Sequence, residues 1–396
     1  MDGSFIVAKL PPEISGSHFG SVLKAYSLHQ HHHQCVTQPL LLTQLREWGV
    51  TISNGQLSRL LIDNKECFHK EKEAILKTGL SVSSHIHTDD TGARHDGKNG
   101  YCTHIGNELF AWFKSTNSKS RINFLELLRH EHEDYYLNKE SFAYMKRYKV
   151  APWIQDKLKH YAKKHFNNKF EWEKCLDYLK IKNKHYVRLV TEAALIGSIL
   201  QHGFSKDMVI VSDDAGQFNV FEHALCWIHA ERGITTLIPS NQMQINTVEW
   251  ARKQIWDIYH LLIDYKKNPD KKLKFQITKQ FNALCKTKTD YQTLNLVLKR
   301  MGAHKNELLM VLQRPNTPLH NNLSECDIRE YVKRRKISGS TRSDEGRQCR
   351  DTFASLKKTA LKLKVSFWDY LVDRITLKAQ VPWLPDLIIK AASATA

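Results

Sequence analysis

The stretch at residues 81–107 constrains the fold most, because it joins a strand pattern to a pair of acids. Apolar and polar residues alternate along its first half, as in a half-buried β-strand, and the pattern ends on Asp89 and Asp90. A polar run follows and closes with Asn99-Gly100, a pair that favours a hairpin turn because both residues tolerate positive φ. A second strand is predicted at residues 101–105. The chain therefore presents two carboxylates where a strand leaves its sheet.

The same combination occurs a second time, further along the chain. Residues 208–212 form a short, continuous apolar run, typical of a strand that is buried on both faces, and it ends on Asp213 and Asp214. If the two strands are neighbours in one sheet, their terminal carboxylates can converge on Mg²⁺ or Mn²⁺, which prefer oxygen ligands. An acidic pair after a strand is also common in turns and at helix N-termini. Its repetition in a basic chain favours catalysis.

A third acid, Glu325, is predicted in the first turn of a helix that begins near residues 321–324, where Asn and Ser are good caps. The helix dipole favours a carboxylate there, although the spacing to Arg329 also allows a simple surface ion pair. A basic run at residues 333–336 and a Ser- and Gly-rich stretch at residues 338–343 follow. Together they suit phosphate contacts, while a solvated basic face is the ordinary interpretation of such a run.

The net charge of the chain indicates which kind of molecule it binds. Lys and Arg outnumber Asp and Glu, 59 to 41 in 396 residues, which gives a net charge of +18 and predicts attraction to polyanions. No apolar run is long enough to cross a membrane, and the N-terminus lacks the pattern of a secretory signal. The eight cysteines are scattered without a Cys-x-x-Cys pair, as expected of reduced thiols.

The order of the patterns predicts how the chain is organised. Near the N-terminus, a pair of predicted helices flanks Gly49, and Ser53 caps the second; a helix-turn-helix and an ordinary helical hairpin explain this equally well. A third strand is predicted at residues 108–114, and the basic, aromatic-rich residues 132–190 predict a helical insert with a DNA-exposed rim. The predicted divisions are a helical N-terminal region at 1–80, the first segment of a core at 81–240, an all-α insertion at 241–315, the C-terminal segment of the core at 316–378 and a tail at 379–396.

One further pair could bind metal. Cys226 and His229 have the Cys-x-x-His spacing that forms half of many zinc sites, but no second pair is evident nearby. We therefore expect these two residues to be structural or to lie near the acids.

Taken together and in this order, the motifs resemble those of the transposases of the insertion sequence 66 family. The residues that carry the resemblance are HTDDTG at 87–92, VSDDAG at 211–216, CWIHAER at 226–232, and NNLSECDIR at 321–329 with KRRK after it. The segment GVTIS at residues 49–53 agrees as well, and the resemblance covers roughly residues 20–375.

The resemblance implies an α/β fold: a ribonuclease-H-like mixed-sheet catalytic core with a helical N-terminal region and all-α insertions. It implies a DDE triad in which Asp89, Asp213 and Glu325 are the catalytic residues and hold Mg²⁺ or Mn²⁺, as two ions. Asp90, Asp214 and Cys326 stand where the family usually has Glu, Gly and Arg. The DNA-binding residues would be Arg329, Lys333, Arg334, Arg335, Lys336 and Arg342. Structural or near-site residues would be Cys226, His229, Arg232, Asn321 and Asn322.

The expected reaction is DNA transposition in the bacterial cytoplasm, at the nucleoid: strand cleavage, followed by attack of the freed 3′-hydroxyl on target DNA. The partners would be the element's terminal repeats, target DNA and further copies of the chain on that DNA, with room for accessory proteins of the same element. Three alternatives stay open from the sequence. They are a non-catalytic helix-turn-helix DNA-binding protein, an inactive transposase relic, and a nuclease that cuts without joining.

Overall fold

The protein has a mixed α/β structure. A computed structural model describes residues 18–395, so the first seventeen residues of the predicted N-terminal region lie outside the described residues. Five strands form one mixed sheet in the order β3-β2-β1-β6-β7. These strands are β1 (His85–Gly92), β2 (Tyr101–Gly106), β3 (Ala111–Thr116), β6 (Val209–Ser212) and β7 (Glu222–Leu225). Two short strands, β4 (Tyr135–Tyr136) and β5 (His165–Phe166), pair separately.

The strands that carry the acidic pairs are parallel neighbours. β1 pairs with β6 in the register His85↔Val209, Ile86↔Ile210 and His87↔Val211. β7, which sequence reasoning did not identify, pairs in parallel with the other side of β6. All four residues of β6 are buried, as its unbroken apolar run predicts.

The turn after β1 differs from the prediction. β1 continues past the acidic pair to Gly92, and the tight turn lies at Asp96-Gly97 instead of Asn99-Gly100. Both turn residues have positive φ, 46° and 70°, and the backbones of His95 and Lys98 exchange two hydrogen bonds. Asp-Gly meets the same conformational demand as Asn-Gly, so the signal was correct in kind but was assigned to the wrong pair. Gly100 is needed for another reason, because a Cβ there would lie 2.6 Å from the carbonyl oxygen of Ala93.

The N-terminal region is helical, as predicted. Its helices are α1 (Ser21–Leu28) with a π-helical turn (His29–His33), α2 (Gln38–Glu47), α3 (Asn54–Ile62) and α4 (Glu66–Val82). Gly49 has a φ of +81° in the turn between α2 and α3. Ser53 and Gln56 form a reciprocal capping box at the start of α3. Two helices joined by a turn are thus present, as both the helix-turn-helix and the helical-hairpin interpretations require, and a role in binding DNA stays a prediction.

The predicted helical insert is not purely helical. The elements that follow β3 are α5 (Arg121–Arg129), α6 (Lys139–Arg147), α7 (Pro152–His160), α8 (Lys169–Tyr178) and α9 (Lys184–Gln201). α7 ends at His160, and β5 intervenes before α8 begins. The third strand of the main sheet also lies slightly later than predicted, at Ala111–Thr116.

Residues 241–312 are helical and contain no strand, in line with an all-α insertion. After α10 (Trp227–Thr235), the elements are α11 (Gln242–Lys267), α12 (Lys271–Lys286), α13 (Gln292–Ala303), α14 (Lys305–Leu308) and a 3₁₀ turn (Met310–Leu312). Helices α10 to α13 share one hydrophobic core, in which Leu262, Phe281 and Leu298 are completely buried. Trp227 at the start of α10 lies in the same core, and its indole N–H donates to the carbonyl of Leu308.

The C-terminal region is helical throughout. Its helices are α15 (Asn322–Ser338), α16 (Asp344–Lys362), α17 (Phe367–Thr376) and α18 (Leu384–Thr395). The last of these occupies the predicted tail. Among the helices in residues 18–395, none is both long enough and apolar enough to cross a lipid bilayer.

The chain forms two compact units. The first comprises residues 18–82, 91–117 and 327–395. In this unit α16 packs on β3. The side chain of Ser355 accepts a hydrogen bond from the backbone N–H of Phe113, and that of Asp351 accepts one from the backbone N–H of Ser115. The second comprises residues 83–90 and 118–326. All three acids of the predicted triad belong to the second unit.

Candidate catalytic site

The two strand-end acids lie at corresponding positions of neighbouring parallel strands. The β1–β6 register pairs each residue with the one 124 positions later, and its continuation sets Asp89 opposite Asp213. Neighbouring strands are about 4.8 Å apart, so the backbones of Asp89 and Asp213 lie close together. The sequence predicts this arrangement only if the two strands are neighbours in one sheet. The structure shows that β1 and β6 are neighbours.

The electrostatics of Asp89 indicate that the third acid is close as well. Burial raises the pKa of Asp89 to about 7, and the negative charges of Asp213, Asp90 and Glu325 act in the same direction. A hydrogen bond of 2.8 Å from the backbone N–H of Asp90 opposes this rise. Burial and the neighbouring acids therefore both disfavour the ionised form of Asp89, and a nearby cation would favour it.

Within each acidic pair, the second residue has side-chain partners. Gln217 donates a hydrogen bond of 2.7 Å to Asp90. Asp214 forms ion pairs with Arg300 and His304, both contributed by the all-α insertion and its end. By contrast, Asp213 accepts a hydrogen bond of 3.1 Å from the backbone N–H of Ala215 in its own turn. The first residue of each pair is therefore the better candidate for a metal ligand.

Asn321 anchors the start of the helix that carries Glu325. Its side chain is buried and donates to the carbonyl oxygen of Thr88 at 2.9 Å, while its amide oxygen accepts from His87 at 3.0 Å. Its own carbonyl accepts the first hydrogen bond of α15, from the N–H of Glu325. The residue before Asp89 and the first turn of α15 are thereby fixed to each other. Asn322 is exposed at the start of the helix.

The Cys-x-x-His-x-x-Arg motif lies beside Glu325. Cys226 is buried immediately before α10, and its sulfur accepts the backbone N–H of Asn321 at 3.2 Å. His229 in the first turn of α10 has its Nδ1 3.6 Å from Oε1 of Glu325. Arg232, one turn later, has its Nη1 3.3 Å from the other ring nitrogen of His229. The motif thus contacts both the anchor of α15 and the acid that α15 carries.

A cavity of about 470 Å³ adjoins this group of residues. Asp213, Cys226 and His229 line one side of it, and apolar residues of α13 and α14 line another, together with Arg300 and His304. The insertion therefore shapes one wall of the space next to the acids. Gln217, Arg300 and His304 are site residues that sequence reasoning missed, because no local motif marks a residue whose role depends on a tertiary contact.

The donor set fits a divalent cation of the Mg²⁺ or Mn²⁺ type. Asp89, Asp213 and Glu325 offer hard carboxylate oxygens, and burial, together with the negative charges of the neighbouring acids, raises the pKa of Asp89. Mg²⁺ commonly uses only one or two protein carboxylates and completes its shell with water and substrate phosphates. The chemistry of these donors therefore suits such an ion.

The predicted DNA-binding cations fall into two groups. Arg329, Lys333, Lys336 and Arg342 are exposed. Arg334 is only 8% exposed, and its guanidinium donates to His31 at 2.6 Å. Arg335 donates to the side chain of Thr91 and to the carbonyl of Gly92. The run at residues 333–336 is thus not a uniform solvated face, and Arg334 and Arg335 are engaged within the protein.

Comparison with known proteins identifies relatives. A model of the family described as "Transposase IS66 family" matches residues 192–349, a range that includes Asp213 and Glu325. The chain is also similar to the uncharacterized protein y4jO of Sinorhizobium fredii. The two are 42% identical over 311 residues, which cover 77% of this chain and 96% of that protein.

Proposed function

The chain belongs to the insertion sequence 66 (IS66) family of transposases, and we propose that it catalyses metal-dependent DNA strand cleavage and strand transfer. The reaction would take place at a DDE-type site formed by Asp89, Asp213 and Glu325. The observation that carries this proposal is the parallel β1–β6 register, whose continuation sets Asp89 opposite Asp213 although the two residues are far apart in sequence. The charges of Asp213 and Glu325 also act on Asp89, whose pKa is raised mainly by burial, and a cluster of acids of this kind is typical of a site for divalent metal.

A ribonuclease-H-like core belongs to the same proposal. In support of it, β1 and β6 are parallel neighbours, Asp89 lies within β1, Asp213 directly follows β6, and β7 continues the parallel pairing. The third acid comes from a helix that follows a helical insertion. This combination positions ligands on rigid elements, which a metal site needs in order to hold its geometry.

Each residue of the site has a defined task in this mechanism. When bound, divalent ions supply the charge that activates an attacking oxygen and stabilises the leaving oxygen in a displacement at phosphorus. Asp89, Asp213 and Glu325 would hold those ions. Asn321 ties the helix that carries Glu325 to β1 through its bond to Thr88, and Gln217 orients Asp90 by a hydrogen bond.

DNA is the proposed substrate and partner. The net charge of +18 favours a polyanion, and the exposed cations Arg329, Lys333, Lys336 and Arg342 are available for phosphate contacts. The element's terminal repeats and target DNA would bind, with further copies of the chain assembled on them. Divalent cations would be the cofactor, Mg²⁺ or Mn²⁺.

The experiment that tests the proposal is a cleavage and strand-transfer assay with DNA that carries the ends of the element. We expect the wild type to cut and join in Mg²⁺ or Mn²⁺ and Glu325→Gln to lose at least about a thousandfold in rate, as for removal of a central catalytic group. Glu330→Gln is the matched control, since Glu330 lies on the same helix but pairs with Lys357 at 3.1 Å. It should retain activity.

The alternatives give different results in the same assay. Cleavage without joining would identify a nuclease. DNA binding without any nicking would identify a DNA-binding protein or an inactive relic, and equal activity in wild type and Glu325→Gln would refute the triad.

A further inference from the structure

We infer that Cys226, His229 and Glu325 form a binding site for a thiophilic divalent ion of the Zn²⁺ class, which shares Glu325 with the carboxylate site. An ion bound there would engage Glu325 and remove it from the set of three acids. The binding site is inferred from the positions of its donor atoms. The inhibition of DNA cleavage that would follow from it rests on the proposed function.

The donor atoms are close enough to share one ion. The sulfur of Cys226, a ring nitrogen of His229 and a carboxylate oxygen of Glu325 all lie within 4.8 Å of one another. Zinc binds sulfur at about 2.3 Å and nitrogen or oxygen at about 2.0–2.2 Å, so its tetrahedral donors lie about 3.5 Å apart. The Nδ1–Oε1 distance of 3.6 Å between His229 and Glu325 already has this value.

The same two atoms lack hydrogen-bond partners. Among the described residues, Nδ1 of His229 and Oε1 of Glu325 are shielded from solvent without a hydrogen bond to another group. A shielded polar atom without a partner costs free energy, about 1–3 kcal/mol in typical cases. One ion between the two atoms would satisfy both. This observation is independent of the spacing of the three residues.

The frame around the donors is rigid. Cys226 and His229 lie at the start of one helix, and Asn321 ties the sulfur of Cys226 to the start of the helix that carries Glu325. The three donors therefore need little rearrangement to meet an ion. Three protein ligands would leave a fourth position for water or another ligand, and Cys226 and His229 also line the cavity of about 470 Å³.

Binding has a proton balance that can be written in full. Burial raises the pKa of the Cys226 thiol, while backbone N–H groups of Asn321, His229 and Ile228 lower it. On coordination the S–H bond breaks, an S–metal bond forms and the proton leaves to water, with no change in oxidation state. Affinity should therefore rise with pH.

One existing contact must give way. Arg232 can only donate, so its contact with Nε2 of His229 leaves the ring proton on Nδ1. Metal binding at Nδ1 requires this proton to move to Nε2 and Arg232 to turn into solvent. Arg232 is exposed and the contact is long, at 3.3 Å, so this cost is small.

The ligand type separates this site from the carboxylate site. Thiolate and imidazole select Zn²⁺, Co²⁺ and related ions, whereas carboxylates and water suit Mg²⁺ and Mn²⁺. The neighbouring Cys326 is exposed and does not belong to the cluster, which makes it a matched control within the same sequence.

The test is a titration of the full-length protein with Co²⁺, with a phosphine reductant to keep the thiols reduced. We expect a thiolate-to-cobalt charge-transfer band in the near ultraviolet that saturates at one ion and that Zn²⁺ abolishes. Cys226→Ser, which keeps a hydrogen-bond acceptor for Asn321, should lose the band, as should His229→Gln, while Cys326→Ser should keep it. Circular dichroism would confirm that each variant is folded.

A band that persists in Cys226→Ser, or no band in the folded wild type, would overturn the site. A second measurement follows DNA cleavage in Mg²⁺ as Zn²⁺ is added, with each variant compared to its own zinc-free rate. Inhibition that appears in Cys326→Ser but not in Cys226→Ser supports the regulatory step. A cobalt band without inhibition refutes that step and leaves the site standing. Failure of cleavage in every sample would count against the proposed function instead.

Discussion

Two aspartates in this molecule experience opposite electrostatic environments. Asp89 is partly buried in the second unit, where Asp213, Asp90 and Glu325 help to raise its pKa to about 7. Asp327 is 5% exposed in the first unit, and its carboxylate lies 3.2 Å from His104, 3.4 Å from Lys358 and 2.9 Å from Lys362. Hydrogen bonding and the positive charge of these groups outweigh burial and hold its pKa well below the usual range.

The difference lies in the charges that surround each acid. Asp327 is compensated by cationic groups of the protein itself. Asp89 is surrounded by like charges, which costs stability and is typical of functional sites. Burial alone does not distinguish the two. The sign of the neighbouring charges does.

The largest expected effect is on stability at Asp327. Asp327→Asn should lower the free energy of unfolding by about 3 kcal/mol, since it leaves buried cationic groups without their counter-charge. Asp89→Asn should have the opposite sign and raise the stability of metal-free protein at pH 8, because it removes repulsion among the acids. Urea denaturation of both variants against wild type measures this contrast. Destabilisation of similar size in both would remove the distinction between them.

Divalent metal should affect thermal stability through Asp89 and Asp213 but not through Asp327. Mg²⁺ or Mn²⁺ should raise the melting temperature of the wild type by a few degrees, since ligand at a hundredfold excess over its Kd contributes about 2.7 kcal/mol. The Asp89→Ala/Asp213→Ala double variant should lose this shift, and Asp327→Asn should keep it relative to its own metal-free value. A thermal scan with and without metal decides. An equal shift in the double variant would place the ion elsewhere.

A smaller effect is expected on the pH dependence of stability. The pKa of Asp89 is about 7 in the folded protein and about 3.9 in the unfolded chain, so ionisation of this residue opposes folding. Its contribution should therefore improve as the pH falls from about 7 to about 4, by about 1–2 kcal/mol once solvent screening is allowed for.

Asp327 should affect the pH dependence of the free energy of unfolding in the opposite direction to Asp89. The pKa of Asp327 is lowered on folding, so its contribution is complete above pH 4 and is lost only as the pH falls further. Denaturation midpoints between pH 4 and pH 8, as differences between wild type and Asp89→Asn, measure the first effect. A difference that does not change with pH would show that Asp89 ionises normally.

The comparison also marks the limit of sequence reasoning. The strand patterns at residues 82–89 and 208–212 located both acidic pairs, because a buried strand leaves a local periodic signal. They did not reveal β7, whose four residues include Glu222 and His223 and lack an apolar run. The turn was assigned to Asn99-Gly100 instead of Asp96-Gly97, since two candidate pairs lie three residues apart and only the pairing of the strands selects one.

The candidate site was predictable to the same extent. The order of the motifs indicated Asp89, Asp213 and Glu325, whereas their mutual proximity depends on the parallel β1–β6 register, which no local pattern encodes. The contribution of Arg300 depends on how the insertion folds back on Asp214, so it was invisible in the sequence. The contacts that Arg334 and Arg335 make within the protein were invisible for a similar reason, because a helix turns successive side chains to different sides.

The smallest expected effect concerns the basic run at residues 333–336 and the salt dependence of DNA binding. Lys333 is exposed, whereas the guanidinium of Arg334 is buried against His31. If Lys333 contacts a phosphate, Lys333→Gln should reduce the slope of log affinity against log salt by about 1, because one fewer counterion is released. Arg334→Gln should leave the slope unchanged and lower thermal stability instead, since its charge is already engaged within the protein. DNA binding at several salt concentrations measures both slopes. A reduced slope for Arg334→Gln without loss of stability would mean that Arg334 leaves His31 to bind DNA. In that case, a contact in the free protein would not distinguish a structural cation from a DNA-binding one.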